Sequence, residues 1–297
     1  MKKVLSFLLI LLTLLSLYHG QITFSAAKDA LMLWFEKLVP SMFVSMVLAR
    51  ILYQKQILHH IRIPFLSRIL RIDDACMPLV LCSLILGFPS GSLFIDEACE
   101  RKELQVEGAL RLLYTCSFAT PGFVIMSCGL VFYHSIALGG WLFLAQVVSG
   151  LLLLLMTRST PVQALSLSHS TSKDNVLADA ILQTGKALYL IGGYLMLFMS
   201  ICSILMPYIP EELQLPVRIL AEFSSGTAYI SALPYHENIR MLLTCFLLSF
   251  AGFCVHMQVH SMVSYCPISY RKYLGFRILQ GMLSMLIFYI FLKTSLV

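Results

Sequence analysis

The stretch Gly87-Phe88-Pro89-Ser90-Gly91 closes an apolar run that is too short to cross a membrane. That run, Cys76–Gly87, has 12 residues, which as a helix measure about 18 Å, roughly half a bilayer. A second run of similar length, Leu213–Phe223, closes at Ser224-Ser225-Gly226. Irregular backbone at membrane depth is tolerated only where protein or a wet cavity surrounds it. We therefore predict two re-entrant hairpins, at 72–100 and 211–237.

The composition around these runs is that of an integral membrane protein. Of the 297 residues, 59% are hydrophobic and 12% are charged, whereas a soluble domain carries about 25% charged residues. The nine cysteines are odd in number and form no Cys-x-x-Cys pair, so we expect neither a disulfide framework nor a metal site. The net charge of +6 is not gathered into a basic patch, so we expect the lipid bilayer, and no nucleic acid, as a partner.

Seven apolar runs are candidate spans, of which the first is short for a membrane helix. They are Val4–Tyr18, Leu31–Leu52, Leu112–Tyr133, Leu138–Met156, Thr184–Met206, Met241–Val263 and Leu274–Leu292. The first follows Lys2 and Lys3, so both a retained span and a cleaved signal peptide fit it. With the N-terminus inside, 16 of the 21 Lys and Arg residues fall on the inner side and five outside, as the positive-inside rule requires.

The same topology divides the chain into four parts. Residues 1–30 form an N-terminal membrane helix and an outer loop, 31–158 a first repeat, 159–183 a cytoplasmic linker and 184–297 a second repeat. The C-terminus is predicted to lie outside, and the amphipathic segment Lys55–Arg71 to lie on the inner membrane surface. We expect a multi-pass protein of a bacterial cytoplasmic membrane, possible as a homo-oligomer.

Two short patterns recur between the halves at nearly equal offsets. Phe-x-Ser-Gly occurs at Phe88 and again at Phe223, and Phe-Ala occurs at Phe118 and again at Phe250. Each unit reads as one span, one hairpin, one broken span and one further span, and the three spans between the hairpins make the repeat inverted. Inverted repeats with broken helices are typical of secondary transporters. The predicted fold class is an all-α integral membrane protein with about seven transmembrane helices plus two re-entrant hairpins in an inverted repeat.

From about Trp34 to the C-terminus the chain resembles the YlbJ family of sporulation integral membrane proteins. The likeness rests on 87–92 (Gly-Phe-Pro-Ser-Gly-Ser), on 222–226 (Glu-Phe-Ser-Ser-Gly) and on Gln258 with Ser261. The resemblance implies a nucleoside-recognition (Gate) domain, an architecture similar to concentrative nucleoside transporters, and sporulation members associated with movement of dipicolinic acid at the forespore. The chain departs from the family at 117–120 (Ser-Phe-Ala-Thr), where an asparagine is expected, and at His256, where a glutamine is expected.

We predict that hairpin tips and helix breaks form one substrate site. Its residues are Gly87, Pro89, Ser90, Gly91, Ser117, Thr120, Glu222, Ser224, Ser225, Gly226, His256 and Gln258. Glu222 carries the most weight, because a carboxylate at membrane depth is costly and by default suggests function. It would bind a cation, carry a proton or hydrogen-bond a solute, or else accept hairpin N–H groups as a purely structural group. The coupling cation, H⁺ or Na⁺, stays open.

Three functions compete. The leading one is a transporter or permease for a small polar or anionic metabolite, nucleoside-like or dipicolinate-like. A membrane enzyme would need a catalytic constellation, and only His256 with His260, four residues apart, suggests one; we expect no enzyme activity, no catalytic residue, no cofactor and no ATP-driven step. A non-transporting scaffold of a sporulation complex is the third, although a scaffold needs neither a midplane carboxylate nor repeated helix breaks.

Overall fold

The computed structural model describes residues 2–55, 57–61, 63–165 and 175–294. Residues 166–174 of the predicted linker therefore lie outside the described residues. Those described are helical, apart from turns, short extended pieces and two isolated bridges that join Ile72 to Val162 and Leu104 to Ala164. The helices are α1 Lys2–Tyr18, α2 Gly20–Leu33, α3 Val39–Gln54, α4 Pro64–Leu70, α5 Met77–Leu86, α6 Ser90–Glu100, α7 Val106–Thr115, α8 Ile136–Met156, α9 Val176–Leu205, α10 Glu211–Ala221, α11 Phe223–Ser231, α12 Glu237–Phe250, α13 Gly252–Met262 and α14 Tyr270–Lys293.

Four helical stretches in the described part of the chain are long and apolar enough to cross a membrane, or five if a bent pair counts as one span. The four are Ile136–Met156, Val176–Tyr208, Glu237–Met262 and Tyr270–Lys293, and the bent pair joins Ser6–Tyr18 to Gly20–Glu36 at 95°. The predicted span Leu112–Tyr133 is divided, because α7 ends at Thr115 and a π-helical segment begins at Phe123. The chain is thus an all-helical membrane protein with four to five candidate spans.

Both predicted hairpins fold as two short helices joined at a sharp break. In hairpin 1, α5 and α6 are joined by 87–89; in hairpin 2, α10 and α11 meet at Glu222. A glycine lies at each crossing: a Cβ on Gly91 would be 2.7 Å from Ser83 Cα, and one on Gly226 would overlap the carbonyl oxygen of Ile219. These two glycines occupy equivalent positions of the Phe-x-Ser-Gly pattern. In both hairpins the glycine of the pattern therefore allows the two short helices to pack closely.

Each hairpin tip rests on the break of a divided helix. The first break is the non-helical stretch 116–120 after α7, and the backbone N–H of Phe88 donates to Phe118 O there at 2.7 Å. Gly87 has φ +64° with no space for a Cβ beside Thr120 N, so glycine is required. The second break lies between α12 and α13, where Gly252 (φ +72°) approaches the backbone N of Phe223. The fold therefore brings the two hairpin tips and the two helix breaks together in one buried region of the protein.

Three basic residues that the topology count placed on the inner side lie inside the protein. Arg50, Arg111 and Arg277 are 3%, 4% and 0% exposed. Arg50 forms a paired contact with Glu97, both N–O distances being 3.2 Å. Arg111 donates to carbonyl oxygens that include Leu70 O and Leu154 O, at the ends of α4 and α8. Counting charges assigned these residues to one side of the membrane, and the packing shows in addition that their side chains are buried within the protein.

The surface of the N-terminal helix is apolar almost all round. Phe7, Ile10, Leu14 and Leu17 of α1 are all more than half exposed. In the amphipathic segment, Phe65 and Ile69 of α4 are exposed as well, next to the exposed Arg68. Such surface is unfavourable in water and favourable against lipid or at the membrane interface.

Candidate functional site

A small cavity lies where the two hairpin tips meet the divided helices. Its volume is about 40 Å³, by volume enough for roughly two or three water molecules. The lining residues are Leu38, Met42, Phe88, Pro89, Thr120, Phe123, Ile191, Leu195, Glu222, Phe223, Val255 and Gln258. Both tips, both divided helices and both spans that precede the hairpins contribute.

Aromatic rings close the cavity between the tips. Phe88 of the first tip and Phe223 of the second pack edge to face, with ring centroids 5.1 Å apart. Phe123 packs against Phe223 at the same separation. Phe88 and Phe223 occupy the same position of the Phe-x-Ser-Gly pattern, which occurs once in each half of the chain. Edge-to-face pairs of this kind contribute about 0.5–1.5 kcal/mol beyond area burial.

Glu222 is 4% exposed and caps the second hairpin helix. Its carboxylate accepts from the backbone N–H of Ser224 at 3.0 Å and of Ser225 at 2.7 Å, and from the Ser224 hydroxyl at 2.7 Å. These are the N–H groups that a helix N-terminus leaves without an intrahelical partner. The structural role weighed in the sequence is therefore present, and the carboxyl group also borders the cavity.

Thr120 and Gln258 supply the other polar groups of the lining. Thr120 Oγ1 accepts from the backbone N–H of Phe123 at 3.3 Å and so caps the helical segment after the first break. Among the described residues, the Gln258 amide donates to Cys254 Sγ, at 3.4 Å, a weak partner. Lys, Arg and His are absent from the cavity's lining in the described part of the chain. The site thus offers one carboxylate, one hydroxyl and one amide within an apolar, aromatic wall.

The remaining predicted site residues are not part of the lining and have other contacts. Ser90 is buried and its hydroxyl donates to Met46 Sδ at 3.5 Å, while the Ser224 hydroxyl is bonded to Glu222. Ser117 Oγ lies 3.2 Å from the Tyr273 hydroxyl. The glycines 87, 91 and 226 serve close backbone packing, and the Ser225 N–H is taken by Glu222. Of the twelve predicted residues, Pro89, Thr120, Glu222 and Gln258 are in the lining.

His256 faces the second break and not the cavity. Its ring Nε2 lies 2.7 Å from Phe250 O, the last carbonyl of α12, and the ring is buried among Phe250, Phe253 and Tyr273. His260 is exposed and packs against Tyr270. In the described residues no group of three His, Cys, Asp or Glu side chains is arranged to hold a metal ion. The histidine pair is therefore divided between two environments.

Two buried charged residues that hold the site together were not among the predicted ones. Asp96 of α6 accepts three backbone N–H groups, from Ser264, Tyr265 and Cys266, at 2.9, 3.1 and 2.7 Å. It ties hairpin 1 to the loop after α13. Arg277 of α14 donates to Ser117 O at 2.8 Å and to Tyr114 O, at the first break. In sequence, Asp96 belongs to a run of acidic and basic residues that is typical of a solvated helix face, and no pattern singled out Arg277.

Comparison with known proteins finds a similarity over most of the chain. The chain is 22% identical over 321 residues, covering 93% of this chain and 78% of the other, to the sporulation integral membrane protein YlbJ of Bacillus subtilis (strain 168). No protein-family model and no solved structure matches the chain. The similarity covers most of the chain and supports a YlbJ-like membrane protein.

Proposed function

We propose that this chain is a membrane transporter or permease for a small polar or anionic metabolite. The observation that carries the proposal is the convergence of two hairpin tips and two helix breaks on one cavity that contains a buried carboxylate. Non-helical backbone at membrane depth needs protein or a cavity around it, and transporters place their binding sites at such interrupted helices. A lipid anchor needs none of these features.

For the membrane arrangement we propose seven spans and two re-entrant hairpins in an inverted repeat. Both halves run in the same order: a span, a hairpin, a divided helix and a final span. The paired glycines 91 and 226 and the contact between the equivalent residues Phe88 and Phe223 support the repeat. Each divided helix then counts as one span, as do α1 and the run from α2 to α3. The resulting protein is a multi-pass protein of the cytoplasmic membrane.

The lining narrows the solute that we propose. Aromatic rings favour a planar or largely apolar body, and Glu222, Thr120 and Gln258 offer polar contacts at its edge. Glu222 already takes the N–H groups of Ser224 and Ser225, so these are not free for a carboxylate on the solute. The aromatic and polar groups of this lining match a nucleoside-like solute without a further charge, whereas a dipicolinate-like anion would have to enter together with a proton or a cation.

A role in sporulation is proposed from the name of the similar Bacillus protein, with the forespore membrane as a possible location. The alternative function, a non-transporting scaffold of a sporulation complex, accounts for that name equally well. It does not account for a carboxylate placed in a cavity between two separable tips. Transport is therefore the function we put to the test.

The test is solute uptake by proteoliposomes that contain the purified chain. Radiolabelled nucleosides and dipicolinate are offered with and without a proton gradient, against protein-free vesicles. We expect saturable uptake of at least one solute class that falls in the variant Glu222→Gln. The matched control is Glu212→Gln, which removes an exposed carboxylate in the first turn of α10. No uptake of any solute, with the protein folded in the vesicles, favours the scaffold.

A further inference from the structure

The guanidinium of Arg277 is buried completely at the first break without an acidic partner in the described residues. It is 0% exposed, and the ion pairs formed by described residues join Arg50 and Arg101 to Glu97, and Arg101 to Glu103. A buried charge is costly unless it is paired and hydrogen-bonded. The groups that compensate Arg277 must therefore be the ones it contacts.

Those groups are carbonyl oxygens at the interrupted end of a helix. Arg277 donates to Tyr114 O in the last turn of α7 and to Ser117 O in the break itself, and lies 5.4 Å from the centre of the Tyr273 ring. The C-terminal end of a helix carries a partial negative charge and unpaired carbonyl groups. In transporters with divided helices, such ends and unwound carbonyls coordinate the coupling cation.

The second break is closed in a similar way. Its last helical carbonyl, Phe250 O, lies 2.7 Å from Nε2 of His256. Each divided helix therefore has carbonyl oxygens at its interrupted end already engaged by a basic side chain of the same protein. These carbonyl oxygens are the ones that a divided helix would offer to a metal cation. At both breaks, side-chain nitrogen atoms of the protein itself bind them instead.

We infer that Arg277 is a tethered cation that stands in place of a coupling metal ion at the first break. Its charge neutralises the end of α7 permanently and fixes the break that carries Ser117 and Thr120, so the cavity is ready to bind a solute without Na⁺. The structural part of this inference holds whatever the chain transports; the prediction that solute uptake is independent of Na⁺ rests on the proposed function.

The test removes the tethered cation and offers a soluble one. In detergent, Arg277→Ala is expected to lower the unfolding midpoint temperature by about 5–10 °C, since two charge-assisted hydrogen bonds are lost. Guanidinium chloride at about 5–20 mM should raise the midpoint of this variant by about 2–4 °C, because a ligand that binds only the folded state stabilises it. Wild type and Arg271→Ala, which removes an exposed charge of the same helix, should show no such rise.

Separate outcomes decide the two parts. If guanidinium fails to stabilise Arg277→Ala selectively, the inference that Arg277 replaces a metal ion at the first break is overturned. This measurement does not depend on transport. Should Arg277→Ala not fold, Arg277→Lys is compared with Arg277→Met. The positive charge that lysine retains should keep its unfolding midpoint above that of Arg277→Met. Equal midpoints for these two variants would overturn the inference about Arg277. In wild-type vesicles, uptake should be unchanged when choline replaces Na⁺. Uptake that rises severalfold with Na⁺ would overturn the inference while leaving transport intact.

Discussion

Glu222 has two roles that a pair of substitutions separates. Its carboxylate caps α11 through Ser224 and Ser225, and it borders the cavity. Glu222→Asp keeps both oxygens and the charge but withdraws them from the cavity by one C–C bond, about 1.5 Å. Glu222→Gln keeps the length but replaces one oxygen by an amide nitrogen. The first change spares the cap and disturbs the cavity, and the second weakens both.

The expected stability effects follow from the hydrogen bonds. In Glu222→Gln one of the two N–H donors faces an amide NH₂ and loses a bond to a charged acceptor, which costs about 1.5–3 kcal/mol of unfolding free energy. Aspartate is among the best N-cap residues, so Glu222→Asp should stay within about 1 kcal/mol of wild type. Both variants should therefore fold in the membrane.

Uptake should respond in a different order. If the carboxylate contacts the solute, moving or neutralising it removes at least one polar contact, and the loss of about 1.4 kcal/mol corresponds to a tenfold fall in uptake at low solute concentration. We expect at least that loss in both variants. The measurements are initial uptake rates in proteoliposomes and unfolding midpoints in detergent, with Glu212→Gln as the control that should match wild type in both.

One result would refute the reasoning. Wild-type uptake in Glu222→Asp together with impaired uptake in a destabilised Glu222→Gln would mean that only the cap matters. Glu222 would then be a structural carboxylate, and the polar recognition of the solute would fall to Thr120 and Gln258.

Three further changes test the fold around the site. Gly226→Ala should cost about 1–3 kcal/mol of unfolding free energy, because its Cβ overlaps the facing helix of hairpin 2, whereas Gly193→Ala, with open space around it, should be neutral or stabilising; equal midpoints would contradict the tight crossing. Asp96→Asn should expose the loop after α13 to protease, since up to three N–H bonds to a carboxylate are weakened; unchanged digestion would show that the loop is held by other contacts. On a cysteine-free background, cysteines at Thr171, which lies outside the described residues, and at Pro210 should be labelled from opposite sides of the membrane; labelling from one side would contradict the topology.

The helix breaks were predictable because their causes are local. Gly87 and Gly252 have positive φ values that glycine adopts readily, and such residues stand out inside apolar runs. Short apolar runs that end at Gly and Ser also limit helix length wherever they occur. The structure has the predicted breaks at 87–89 and at Glu222.

The partners of the site residues were not predictable, because they depend on contacts between distant segments. Arg277 follows Arg271 and Lys272 in sequence and was counted with them as a positive charge on the inner side, yet its partners Tyr114 and Ser117 lie in the other half of the chain. Ser224 was expected to line the cavity, but its hydroxyl donates a hydrogen bond to the neighbouring carboxylate of Glu222. A polar residue at a break can form its hydrogen bond to a partner nearby in sequence or to one in a distant segment. The sequence pattern alone does not determine which partner it takes.

The small cavity also restricts how transport would proceed. Pockets for small molecules usually have about 300–1,000 Å³, far above the 40 Å³ or so between the tips, so a metabolite enters only if the tips separate. The contact between Phe88 and Phe223 is apolar and modest in energy, whereas Arg277 and Asp96 make charged hydrogen bonds to backbone. Separation at the aromatic contact therefore costs less than rearrangement at these two anchors. Under the proposed function, the second tip moves, while the first tip, which is bonded to the first break through Phe88 N–H and Phe118 O, and the loop that Asp96 holds stay fixed.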